Sequence, residues 1–284
     1  MMSNKPLVSI IITTCKREMD ILERAIKSAV GQTYENKEII LVNDWPPFFE
    51  KICELIKKYP RIVFLSNEKQ SGACISRNRG IETAKGEFLS PLDDDDEWLP
   101  EKIKYQMDKV DDDTVMVYCT NEIILNGKSL KEDPQRRYPE GDVVEELLCS
   151  NFISGGPLLR TDTVRKCNGY DPAFQSCQDL DLWIRIAMNG KVKAVIPKMA
   201  IAYMGHSSIT TGNFERRMQG WERILEKYKK EYEIYPEAYR RFTATMVREA
   251  AKRESFSYAV KVWKEYGNTA DLLKGFVMKI FRIY

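Results

Sequence analysis

The sequence predicts an α/β protein: a mixed, mostly parallel sheet flanked by helices on both faces, with a helical C-terminal extension. Three observations predict it. Over the first hundred residues, β-branched apolar runs alternate with segments of helical periodicity. An acidic run, Asp93 to Asp96, follows directly on the fourth of those strands. From Phe214 onward no β-rich run recurs, and apolar residues fall at helical spacing.

Taken in order, Leu7 to Thr13 reads as a strand buried on both faces, because its apolar residues are continuous rather than alternating. Ile21, Leu22, Ala25, Ile26, Ala29 and Val30 recur as one helical stripe. Lys37 to Asn43 is the second strand, and Phe48 to Ile56 the second helix. Ile62 to Leu65 is the third strand, Ala73 to Lys85 a helix stopped by Gly86, and Glu87 to Leu92 the fourth strand. Beyond Pro100 the pattern loosens. Thr114 to Leu125 reads as a strand, Asn126 to Gly141 as a polar loop, and Asp142 as the cap of a short helix through Leu148. Asp179 to Met188 is a helix, followed by strands at Val192 to Ile196 and Ala200 to Met204. A boundary near Gly212 separates a first domain (1–212) from the extension (213–284). Within the first domain, the regular alternation up to about residue 100 forms one half and the looser pattern over 101–212 a second.

Composition narrows the class. An apolar fraction of 43% supports a buried core. Seven cysteines without a CxxC pair fit scattered reduced thiols in a cytosolic protein rather than a disulfide framework. No stretch approaches the roughly 18 apolar residues of a membrane span, and none resembles an export signal. The chain from Phe214 carries 16 Lys/Arg against 10 Asp/Glu, a net of +6, whereas the first 213 residues carry 28 against 32, a net of −4. A basic tail on an acidic body suits an anionic surface. Nothing in the charge pattern calls for nucleic acid.

The chemistry concentrates at Asp93-Asp94-Asp95-Asp96-Glu97-Trp98. Adjacent carboxylates repel one another unless a cation or solvent relieves them. In open α/β sheets the ligand crevice lies beyond the carboxyl ends of the strands, where this run sits. Its oxygen donors suit Mg²⁺ or Mn²⁺, and a solvated acidic turn is the alternative. Thr13-Thr14-Cys15-Lys16-Arg17 and Asn43-Asp44 end strands one and two. Neither holds G-x-G-x-x-G or a Walker lysine loop.

Together, VSIIITTCKR, LVND, SGACISRNRGIETAKGEFLSPLDDDDEW and GYDPAFQSCQDLDLWIR, in that order, resemble glycosyltransferase family 2, inverting enzymes of the GT-A (Rossmann-like) fold. The resemblance covers about residues 6–210 and implies a nucleotide-binding half up to about residue 100 and an acceptor half over 101–212. It implies that Thr13, Cys15 and Arg17 line a nucleotide pocket and that Asp44 meets a uracil ring, which points to UDP-sugar donors. It also implies that Arg77 lies near the diphosphate and that Asp93 and Asp94 face ribose and sugar. Asp95 would hold the metal, Mn²⁺ or Mg²⁺, with His206, the one histidine in the chain, as a further ligand. Asp179 matches the catalytic base of a Glu-Asp motif whose glutamate is here Gln178. Gly155-Gly156 resembles the small-residue segment beside the acceptor, although a plain tight turn reads equally well.

The resemblance thus implies transfer of a hexose or N-acetylhexosamine to a hydroxyl of a glycan or lipid-linked glycan, in bacterial surface polysaccharide synthesis. It implies a cytoplasmic protein, peripheral at the inner face of the membrane. Leu272, Leu273, Phe276, Val277, Ile280 and Phe281 share one helical face, which suits either a membrane surface or helix packing and homodimerisation. A catalytically inactive sugar-nucleotide-binding or scaffold protein and a glycoside hydrolase are the alternatives, with a nucleotidyltransferase third.

Overall fold

The computed structural model describes residues 5–130, 137–204, 214–253, 256–267 and 269–280. It divides into two compact units: Met1–Val143 with Phe152–Ala173 and Asp181–His206, and Val144–Asn151 with Phe174–Leu180 and Ser207–Tyr284.

The first unit is built on a nine-stranded sheet. Its strands are β1 (Val8–Thr14), β2 (Lys37–Asn43), β3 (Ile62–Ser66), β4 (Phe88–Asp93), β5 (Glu97–Trp98), β6 (Thr114–Leu125), β7 (Lys128–Ser129), β8 (Leu158–Arg160) and β9 (Lys191–Met204). The order is β3-β2-β1-β4-β8-β6-β9-β5, with β7 paired to β6. β1 runs parallel to β2 on one side and to β4 on the other, in a register that sets Thr14 beside Asn43 and Thr13 beside Asp93. The strand order reverses at β1, so the crevice at its carboxyl end is where a doubly wound sheet receives a ligand. β8 runs antiparallel to both β4 and β6, and β6 pairs with β9 in parallel.

Val8, Ile10 and Ile12 of β1 are wholly buried against Leu22, Ala25 and Ile26 of α1 (Met19–Val30). Each such aliphatic side chain contributes about 1.5–3 kcal/mol. α2 (Phe49–Ile56) adds Ile52 and Leu55 to the same core. α3 (Ala73–Thr83) packs directly on β1, because Gly80 meets the Ile11 side chain where a Cβ would lie 2.5 Å from it.

The two strands expected at 192–204 are one strand, β9. Its register on β6 jumps from Val195 opposite Cys119 to Lys198 opposite Thr120, so a bulge at Ile196-Pro197 absorbs the proline that cannot join the ladder. The polar loop expected at 126–141 opens with a tight hairpin of β6 and β7. α4 (Lys102–Met107), α6 (Thr161–Lys166) and strands β5 and β8 are too short to leave a periodic signature.

The second unit is helical: α5 (Val144–Cys149), then α8 (Phe214–Lys227), α9 (Lys229–Ile234), α10 (Pro236–Arg253), α11 (Phe256–Tyr266) and α12 (Thr269–Ile280). α7 (Gln178–Ala187) begins in the segment assigned to this unit. Trp221, Tyr232, Tyr239 and Phe242 pack edge to face or tilted around α10, and the Tyr232 hydroxyl donates to the Leu148 carbonyl at 2.9 Å. Gly275 lets α12 meet α10 backbone to backbone, since a Cβ there would lie 2.5 Å from the Ala251 Cβ. Two helix positions away on either side, Leu273 and Val277 remain exposed.

Candidate functional site

The carboxyl edge of β1, β2 and β4 gathers most of the expected site residues. Thr13 and Thr14 end β1, and the chain then turns through Lys16, which adopts a left-handed φ of 57°. Its ammonium stacks 4.0 Å over the Trp45 ring. This turn carries Arg17 to the acidic run. Arg17 Nε and Nη2 both reach Asp94 Oδ1 at 2.9 Å, and Nη2 also meets Asp95 Oδ2 at 2.9 Å. From α3, Arg77 Nη2 meets Asp93 Oδ1 at 2.8 Å, with its guanidinium 5.1 Å over the Tyr170 ring. Tyr170 in turn packs edge-on to Trp183 of α7. Arg24 of α1 donates to the Asp95 carbonyl and lies 3.7 Å over Tyr203.

Burial shapes the electrostatics of this loop. It raises the carboxyl pKa of Asp94 against the opposing pull of Arg17, and it raises that of Asp95. Asp96 is pushed up to about 8 by burial and by the charges of Asp93 and Asp95. Among the described residues, Arg17 and Arg77 pair with the carboxylates of Asp93, Asp94 and Asp95 and Arg24 lies against the loop, so four carboxyl groups meet three guanidinium groups and the loop is short of positive charge. The donor set therefore fits a hard divalent cation. No group of three or more His, Cys, Asp or Glu converges into a metal cage among the described residues. Mg²⁺-like ions need none, since one or two carboxylates with substrate phosphates hold them. His206 lies outside the described residues.

Asp44 is buried at 3% exposure. Its Oδ1 accepts from Asn67 Nδ2 at 2.7 Å and the Ser71 N–H at 2.8 Å, and its Oδ2 accepts from the Gly72 N–H at 2.9 Å. It therefore anchors the turn that opens α3 and keeps lone-pair capacity on Oδ2. Asn43, where the motif often carries a second aspartate, folds its side chain onto the backbone of Trp45 and donates to Ser66 Oγ. Cys15 is half-buried beside this turn, its thiol pKa raised by burial and by the Asp44 charge, with Gln70 Nε2 3.4 Å from its sulfur.

The structure thus brings Thr13, Cys15, Arg17, Asp44, Arg77 and Asp93 to Asp95 to one edge of the sheet. Gly155 and Gly156 lie in the same unit, in a turn between α5 and β8 where both adopt positive φ (72° and 67°). A Cβ on Gly155 would lie 2.4 Å from Cys119 Sγ, and one on Gly156 2.6 Å from the Trp98 ring, so neither position admits a side chain. Gln178 and Asp179 are half-buried at the start of α7. Asp181, two residues on, is wholly buried and pairs with Arg185, which also donates to the Cys167 and Gly169 carbonyls. It ties α7 to the preceding loop.

Sequence reasoning passed over Gln70, Arg24, Tyr170 and Lys102. Lys102 and Gln106 stand one helical turn apart, but their complete burial, which marks them out, is visible only in the structure.

Residues 9–167 match the family described as glycosyl transferase family 2. The putative colanic acid biosynthesis glycosyl transferase WcaA of Escherichia coli (strain K12) is 27% identical over 252 residues, 87% of this chain and 90% of that protein. The fold is similar to that of S. aureus TarS 1–349 in complex with UDP-GlcNAc, with a TM-score of 0.69 at 13% identity over 91% of this chain and 80% of that one. It is similar also to the mannosyltransferase PcManGT of Pyrobaculum calidifontis in complex with GDP-Man and Mn²⁺, with a TM-score of 0.62 at 13% identity over 99% and 89%.

Proposed function

This chain belongs to glycosyl transferase family 2 and is a nucleotide-sugar-dependent glycosyltransferase; from that premise we propose that it moves a hexose or N-acetylhexosamine from a UDP-sugar to a hydroxyl of a glycan or lipid-linked glycan, inverting the anomeric carbon. Membership removes the hydrolase and nucleotidyltransferase readings. The observation that carries the proposal is the acidic run set beside Arg17 and Arg77 at the switch point of the sheet.

Arg17 and the Thr13–Cys15 turn cradle the nucleotide, and Asp44 reads the uracil edge through its remaining Oδ2 capacity while fixing the Ser71-Gly72 turn. Asp93 and Asp94 face the ribose and sugar, and Arg77 neutralises the diphosphate as it leaves. Asp95, with His206 as a further ligand, would hold Mn²⁺ or Mg²⁺, which would supply the positive charge that the buried carboxyl groups lack and that a departing diphosphate needs. PcManGT, crystallised with GDP-Man and Mn²⁺, supports a divalent ion in this fold. TarS, crystallised with UDP-GlcNAc, supports the UDP-sugar.

Asp179 removes the proton from the acceptor hydroxyl. The oxygen then attacks C1 as the C1–O bond to the diphosphate breaks, and UDP departs on the opposite face. Its place at the amino end of α7 favours the ionised carboxylate. Gln178, Gly155 and Gly156 contact the acceptor. The named role of WcaA, colanic acid biosynthesis, supports a polysaccharide as the product class.

The exposed Leu273 and Val277 and the net positive charge of the C-terminal helices suit an anionic bilayer, and a second copy of the chain is the other occupant they fit. No helix among the described residues is long and apolar enough to cross a membrane. The proposal is tested by incubating the protein with UDP-sugars and Mn²⁺ and following UDP release. Turnover with at least one supports it, and none across the hexose and N-acetylhexosamine panel overturns it.

A further inference from the structure

Lys102 is wholly buried, and its ammonium forms no ion pair among the described residues. Instead Nζ donates to the Gly156 carbonyl at 2.5 Å, to Gln106 Oε1 at 2.9 Å and to Ser90 Oγ at 3.2 Å, and it stacks 3.5 Å from the Trp98 ring centre. Burial pulls its pKa down to about 7. A packing role alone would be met at lower cost by leucine or methionine, since burying a cation is expensive.

The target of these bonds is one carbonyl. Gly156 O accepts from Lys102 Nζ, from Ser90 Oγ at 3.1 Å and from Gln106 Nε2 at 3.3 Å. The neighbouring Gly155 carbonyl also faces inward, accepting from Cys119 Sγ at 3.3 Å. In a planar trans peptide the N–H points opposite to the C=O. The Gly156 N–H therefore points away from Cys119, and the next residue, Pro157, has no N–H. No hydrogen bond from the Gly156 N–H to another described residue is formed. The ring of Trp98, whose neighbour Glu97 closes the acidic run, lies directly against this turn. Lys102 thus joins the turn to the far end of the donor-binding loop.

We propose that Lys102 is a positioning residue: with Ser90 and Gln106 it pins the Gly156 carbonyl on one side of the turn while Cys119 holds the Gly155 carbonyl on the other, and the turn fixed at both peptides presents the Gly156 N–H as a hydrogen-bond donor for a hydroxyl of the acceptor sugar. The identity of that ligand rests on the glycosyltransferase reading, whereas the pinning of the turn does not.

The test uses full-length protein labelled with ¹⁵N-glycine, in the wild type, Lys102→Met and Lys102→Gln. In the wild type the Gly156 amide exchanges with solvent faster than that of Gly80 inside α3. With UDP present, its signal shifts on addition of methyl β-D-glucopyranoside, the hydroxyl-bearing probe. Lys102→Met moves the Gly155 and Gly156 signals and loses the glucoside response while UDP affinity is kept. Lys102→Gln retains an N–H for the Gly156 carbonyl and keeps both properties. If Lys102→Met does not fold, the wild type and Lys102→Gln carry the decision. A Gly156 amide as protected as Gly80, a glucoside that leaves Gly156 unmoved, or a Lys102→Met protein that responds like the wild type overturns the proposal. Failure of the wild type to bind UDP would sink the glycosyltransferase reading instead, and the exchange comparison would still be readable.

Discussion

Replacing Asp96 by asparagine should stabilise the protein at neutral pH. Asp96 has its carboxyl pKa raised to about 8 by burial and by Asp93 and Asp95. The folded state therefore holds a proton that the unfolded state releases near 3.8. For an acid with a raised folded pKa, the folded state binds more protons, so stability falls as pH climbs from about 4 to about 8. Each unit of difference corresponds to about 1.4 kcal/mol, so the part of the shift lying between 3.8 and pH 7 would amount to about 4 kcal/mol. Asp96 is only part-buried by its solvent contact, and water access reduces this to about 2 kcal/mol.

Asparagine carries no charge and keeps an oxygen for the hydrogen bond from the Tyr203 N–H. Asp96→Asn should raise Tm by about 4–8 °C at pH 7–8, a gain that vanishes near pH 4. Added Mn²⁺ should flatten the pH dependence of the wild type, because a cation at Asp95 offsets the neighbouring carboxylate charges that hold the Asp96 proton. Differential scanning fluorimetry from pH 4 to 8, with and without Mn²⁺, reads each of these. An Asp96→Asn protein no more stable than the wild type at pH 8, or a wild type whose Tm climbs between pH 6 and 8, would refute the electrostatic account of the loop.

Asp179→Asn should lower sugar transfer by about 10² or more with little change in UDP-sugar affinity, measured by initial rates and calorimetry. Near-normal turnover would remove Asp179 as the base. Arg185→Met removes the ion-pair partner of the wholly buried Asp181 carboxylate and should cost about 3–5 kcal/mol in denaturant unfolding; a loss below about 1 kcal/mol would show that the pair is dispensable. Deleting residues 269–284 should weaken co-sedimentation with anionic liposomes while leaving UDP binding intact. Full-length protein that ignores such liposomes at low salt favours a second copy of the chain as the occupant.

The parallel half of the fold was legible because its strands are buried on both faces and its helices carry one apolar stripe, as β1 and α1 show. The same pattern places Asp93 at a strand end, so the acidic run and its neighbours could be read in advance. The antiparallel half was less legible. β8 is three residues long and α4 six, too short for any period to emerge. The merger of two expected strands into β9 depends on a bulge at Ile196-Pro197 that only the partner strand reveals.

Partners that arise from distant chain segments were also beyond the sequence. Nothing local to Asp44 indicates that Asn67, Ser71 and Gly72 engage its oxygens, and nothing local to Lys102 indicates Gly156, 54 residues on. Asp181 shows the opposite case. Its partner Arg185 lies one helical turn away on the same helix, at i,i+4.

The central claim is that the acidic run at the end of β4 binds a nucleoside diphosphate together with a divalent cation, and isothermal titration of UDP tests it most directly. The titration is run on the wild type and on Asp95→Ala, each in Mn²⁺ and in EDTA. The account predicts that wild-type affinity falls at least about tenfold, or about 1.4 kcal/mol, when Mn²⁺ is withdrawn, and that Asp95→Ala binds UDP equally weakly in both buffers. Equal wild-type affinity in Mn²⁺ and EDTA, or undiminished Mn²⁺ dependence in Asp95→Ala, would contradict it.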